Sequence, residues 1–138
     1  MEGSNGKARR KVRTIVIICI VAVVVVAAGV YLLIMLSNYK KGVDAIQVRN
    51  VDISAIEDGE YFGDSDVGLV SAKVRVVVEK GVITEIDLLE HKNGRGGPAE
   101  VIPGRIVEQQ QIDVDIITGA TSSSKVIKEA VYNALTGR

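Results

Sequence analysis

From Thr14 to Leu36 the chain reads TIVIICIVAVVVVAAGVYLLIML, 23 residues without a charged side chain. As an α-helix such a run is about 34 Å long, against a hydrocarbon core of about 30 Å. A helix that is apolar all round needs lipid or a large protein interior about it. With 138 residues in all, the chain has room for one compact domain and an appendage, and not for an interior that would enclose this helix. The run is therefore read as a single transmembrane helix over 14–36. A cleaved secretory signal also begins with basic residues and an apolar stretch, but its apolar part spans about 7–15 residues and ends at a small-x-small site. The run is longer, and no clear site of that kind precedes the polar continuation, so an uncleaved anchor is the better reading.

A formal net charge of zero conceals an asymmetry. Residues 1–13 hold Lys7, Arg9, Arg10, Lys11 and Arg13 against Glu2, whereas the part from Ser37 onward holds 12 basic and 16 acidic residues. Five basic residues lie just before the apolar run against Lys40 and Lys41 after its end, so the positive-inside bias makes 1–13 a cytoplasmic basic tail and sends the folded part to the far side of the cell membrane. Cys19 is the single cysteine and lies within the apolar run, so it closes no disulfide in the chain and reads as a small apolar helix residue. Residues 37–57 carry no long Gly, Ser or Pro tract and are expected to form a short membrane-proximal stalk.

The folded domain is expected over 58–138, with an α+β fold in which a small antiparallel sheet packs against helices. DGEYFG offers a turn followed by aromatic strand formers, and Val70, Ala72, Val74, Val76 and Val78 alternate with mostly polar neighbours. Lys80-Gly81 supplies a turn, and VITEIDLLEH then predicts a second strand with Val82, Thr84, Ile86 and Leu88 on one side. Lys92–Pro98, with three glycines and a proline, reads as a loop. Pro103 stands where a first helical turn accepts it, ahead of a short helix, and IDVD reads as a brief extended segment. Val126, Ile127, Ala130, Val131, Ala134 and Leu135 fall at helical spacing, with Lys125, Lys128, Glu129 and Asn133 opposite, and Gly137 marks the stop.

The hydroxyl-rich stretch DIITGATSSSK, Asp115–Lys125, lies in the turn that enters this last helix. Ser and Thr are preferred N-caps and Gly allows a sharp turn, so composition alone explains the stretch as capping. The same elements also suit a phosphate: free N–H groups, the positive end of the helix dipole and several hydroxyls. An ATP-type loop is excluded, because the Gly-x-x-x-x-Gly-Lys spacing is absent. No carboxylate pair, metal-ligand cluster or nucleophile–base set stands out elsewhere, so no catalytic residue and no metal are assigned, and no nucleic-acid partner is expected.

Asp115-Ile116-Ile117-Thr118-Gly119-Ala120-Thr121 resembles the Asp-x-x-Ser/Thr-Gly-Ala-Thr motif of the FMN-binding domain family. That family includes the flavin-bearing small subunits of Na⁺-pumping quinone reductases and of related ferredoxin-linked complexes. The resemblance runs from DGEYFG through GVITEIDLLEH and the Gly-rich loop to the last helix, over about 58–136. It implies that Thr121 is linked through a phosphoester to FMN, by a flavin transferase that uses FAD as donor and a divalent metal ion. Gly119 and Ala120 would keep the approach to the hydroxyl clear, and Thr118 completes the motif. Asp115 reads as a recognition or turn-fixing residue. Ser122 and Ser123 either bond the phosphate or cap the helix. Lys125 reads as a helix-surface lysine or a phosphate neighbour, and His91 as a surface histidine or a neighbour of the isoalloxazine ring. The expected function is that of a membrane-anchored electron carrier serving membrane-bound or external redox partners. The alternative is a tethered binding or sensory module that holds a phosphate-containing ligand non-covalently at the same turn.

Overall fold

The computed structural model describes residues 3–138, so Met1 and Glu2 of the expected basic tail lie outside the described residues. The chain divides into two units, residues 1–38 and residues 39–138. Helix α1 runs from Gly3 to Ala45, well beyond the apolar run at both ends. Side chains from Gly6 to Asn38 are exposed, Cys19 among them. The helix is long and apolar enough to cross a membrane.

The second unit is α+β. Strands β1 (Gly59–Asp66), β2 (Ser71–Glu79) and β3 (Val82–Lys92) form an antiparallel meander in that order. Helices α2 (Ile102–Gln109) and α3 (Thr121–Thr136) complete it. On β2, Val74, Val76 and Val78 are fully buried, as their alternation predicts. They meet Val126, Ile127, Ala130 and Val131 from α3, all fully buried as well. The β2–β3 turn places both Lys80 and Gly81 at positive φ, 52° and 75°, the backbone that a two-residue hairpin turn demands. Gly137 ends α3 in the left-handed region with its N–H on the carbonyl of Asn133.

The inner face of β3 differs from the expected set. Ile83, Ile86 and Leu88 pair with Val78, Val76 and Val74, while Val82 and Thr84 are exposed. Thr84 and Leu89 have no partner on β2, so each inserts one residue and reverses the side-chain alternation. The second of these irregularities also turns His91 inward, opposite Ala72.

Residues 37–57 do more than tether. Ser37–Ala45 continue α1, and Val43, Ile46 and Ile53 are buried, the last two within the domain core. A Cβ on Gly42 would lie 3.2 Å from Cβ of Val67, so the helix end sits directly against the β1–β2 loop. IDVD joins no strand ladder, yet Ile112 and Val114 are buried and Asp113 and Asp115 exposed, as extended backbone along a core edge requires. Lys128, expected on the wet side of α3, is 5% exposed. Its ammonium donates to Asp113 Oδ1 at 2.6 Å and to the Val114 carbonyl at 2.7 Å, which provides the partners a buried cation needs.

Candidate cofactor-binding site

The Thr118–Gly119 turn delivers the chain into α3. The N–H of Ala120 donates to the carbonyl of Ile117 at 2.9 Å, and Gly119 adopts φ +81°, which favours glycine at that place in the turn. The helix then begins at Thr121, with Ala120 as its N-cap and no side chain bonding the cap. The hydroxyls are therefore not helix caps. Ser124 Oγ instead accepts the N–H of Ile117 at 3.0 Å and staples the incoming loop to the first turn. The first helical bond runs from Ser124 N to Ala120 O, so the N–H groups of Thr121, Ser122 and Ser123 precede the ladder.

These residues form one wall of a cleft of about 340 Å³. Gly119, Ala120, Thr121, Ser122 and Ser123 line it from the helix start, Asn93, Arg95 and Gly96 from the glycine-rich loop, Tyr39 from the end of α1 and Val70 from the β1–β2 loop. Thr121 is exposed, Ser122 half-buried and Ser123 buried, so Thr121 is the most accessible of the three. The loop lies hard against the helix start: a Cβ on Gly96 would stand 1.9 Å from Ser123 Oγ. Arg95 contributes the positive charge of the lining, which contains no carboxylate. The cleft thus combines unpaired donors, a helix N-terminus and a cation, and it suits a bound phosphate.

Asp115 and Thr118 are exposed and do not line this cleft. Lys125 lies on another one, of about 380 Å³, together with Arg49, Asp113 and Lys128. His91 is not a surface residue. Its side chain is 3% exposed, and its Nδ1 lies 3.0 Å from Glu100 Oε1 and 3.2 Å from Asn93 Nδ2. Nε2 is buried without a hydrogen-bond partner among the described residues. The ring thus stands behind Asn93, a lining residue, and outside the cleft itself. Tyr39, Val70, Asn93 and Arg95 were not singled out by the sequence. The glycine-rich composition of 92–98 gave the last two away as part of a loop and no further, and nothing near Tyr39 distinguished it.

The strongest charge cluster is elsewhere, on the outer face of the sheet. Arg75 meets Asp87, Glu60 and Glu85 there, and the hydrogen bond to Asp87 is the main reason its guanidinium pKa is raised above the ordinary value. No acid–base pair stands at the cleft.

The FMN-binding domain family model matches residues 68–136, half of the sequence, and the match takes in β2, β3, the loop and α3. The chain belongs to the FMN-binding domain family. It is also similar to NADH:acrylate oxidoreductase of Vibrio harveyi, 32% identical over 92 residues, or 64% of this chain. The chain spans 9% of the length of that relative. No solved structure matches the chain. FMN fits what the residues offer: Arg95 with the first-turn N–H groups meets the charge of a phosphate, and no carboxylate in the lining opposes it.

Proposed function

We propose that the protein is a membrane-anchored, extracytoplasmic flavoprotein that carries FMN in phosphoester linkage to Thr121 and relays electrons. The observation that carries this reading is the exposed Thr121, the first residue of α3, in the lining of a cleft that holds Arg95 and no carboxylate. FMN supplies one- and two-electron chemistry that side chains lack.

The chain's own residues hold and orient. Thr121 Oγ would hold FMN as a phosphoester, with FAD as the donor to a flavin transferase and AMP as the leaving group. The diester keeps one negative charge, which the start of α3 stabilises by about 0.3–1 kcal/mol, with Arg95 adding to this. Asp115, exposed and outside the cleft, is available to the transferase as a recognition residue. Ser122 and Ser123 bound the phosphate end, and Gly119 and Ala120 leave the approach open. Membrane lipid holds α1, and the redox partners are membrane-bound or external proteins. The similarity to an oxidoreductase supports the electron-relay part of the reading.

Intact mass spectrometry of the full chain, expressed with and without a flavin transferase, tests the proposal. The native chain gains the mass of one FMN moiety only with the transferase, and Thr121→Ala gains none. An unchanged mass in every sample would remove the covalent cofactor and leave a non-covalent phosphate-binding module.

A further inference from the structure

We infer that Tyr39 is the aromatic wall against which the flavin ring rests when FMN is held at Thr121, an inference that depends on the function proposed above. The lining has two chemical characters. Thr121, Ser123 and Arg95 are polar or cationic, whereas Tyr39 and Val70 present aromatic and aliphatic surface. Tyr39 is the aromatic residue in the lining. A planar apolar ring system tethered by its phosphate tail divides in the same way, and aromatic pairs prefer offset-stacked or edge-to-face contact.

The placement of Tyr39 is built into the helix end. Gly42 and Val43 lie three and four residues later and so share its face. Val43 is 7% exposed, and the space a Cβ on Gly42 would take lies 3.2 Å from Val67. That face is turned onto the domain, and Tyr39 itself is half-buried and packed on the core. A tyrosine at the end of an apolar helix would ordinarily be an interfacial anchor. Tyr31, 71% exposed, has that character, and Tyr39 does not. The tyrosine also stands outside residues 68–136, so it is an addition to the matched domain supplied by the end of the apolar helix.

Fluorescence of the flavinylated full chain in detergent micelles tests the inference. A tyrosine or tryptophan touching an excited flavin gives it one electron and takes the electron back in the ground state, which quenches emission; phenylalanine and leucine do not. The native chain and Tyr39→Trp are expected to be dark, and Tyr39→Phe and Tyr39→Leu several-fold brighter with longer lifetimes. The phenylalanine variant preserves the packing, so its brightening is not a sign of misfolding. Intact mass is measured on the same samples. Equal emission from all four chains, each carrying FMN, overturns the role of Tyr39 and leaves the proposed function standing. Absence of FMN from the native chain overturns both.

Discussion

Two glycines show how far a single missing methyl group decides this fold. A Cβ on Gly63, in the middle of β1, would stand 2.3 Å from both the Ala130 carbonyl oxygen and the Ala134 nitrogen, and 2.7 Å from Ala134 Cα. All three are backbone atoms of α3, so the helix itself would have to shift, which no change of rotamer can avoid. Gly63→Ala is expected to destabilise the domain by about 2 kcal/mol or more, seen as a drop of about 10 °C in the thermal midpoint. Gly104, in α2, meets nothing within 4 Å at the same position and has no positive φ. Gly104→Ala is expected to leave the midpoint unchanged or raise it, by up to about 1 kcal/mol of added stability. Equal losses in the two variants would show that the contact at Gly63 is not what holds α3 on β1. In the sequence both are simply glycines. DGEYFG predicts a turn and a strand, and only the close approach of a helix laid across the strand distinguishes Gly63 from a turn residue.

The strands and helices were legible where one face is simply buried and hidden where the chain departs from regular geometry. The alternation from Val70 to Val78 and the helical spacing from Val126 to Ala134 each describe a single buried face, and both faces lie in the core. On β3 the same alternation puts Thr84 on one side with Ile86 and Leu88, because an inserted residue has no apolar signature of its own. A compensation for that irregularity is supplied by Gln110, which follows α2 at φ 53°. Its Oε1 accepts from Ile83 N and its Nε2 donates to Ile83 O, each at 2.8 Å, so one side-chain amide replaces a neighbouring strand at the free edge. Gln110→Ala strands two partly buried backbone groups while keeping the left-handed backbone, at a cost of about 1–3 kcal/mol. Gln110→Gly loses the same bonds but relieves the positive φ, so it should be the milder change. Hydrogen exchange at the Ile83 amide checks this: it should accelerate in both variants, and protection that survives in either would mean that Gln110 does not pair that edge.

Over the whole molecule, an apolar helix precedes the domain that carries the hydroxyl-rich turn. The motif from Asp115 to Thr121 was legible because a glycine turn, hydroxyls and a helix start coincide within seven residues. Tyr39 and Arg95 were not, because one is hidden in what reads as a stalk and the other in a loop whose path composition does not describe. The five basic residues ahead of the apolar run predict which side of a membrane this cleft faces, and with it which partners can reach Thr121. Cys19 is the only native thiol and lies in the apolar run, so introduced cysteines report topology against a silent background. Gly6 and Glu108 are both exposed, and neither substitution removes a basic residue. In intact cells a membrane-impermeant maleimide should label Glu108→Cys and leave Gly6→Cys untouched until the membrane is opened, with Cys19 modified only after solubilisation. The reverse pattern would place the cleft in the cytoplasm, and a flavin held there would have to exchange electrons with soluble cytoplasmic donors. Labelling of both sites in intact cells would mean that the helix does not remain in the bilayer as an anchor, and Tyr39 would then reach the cleft by the fold of the domain alone.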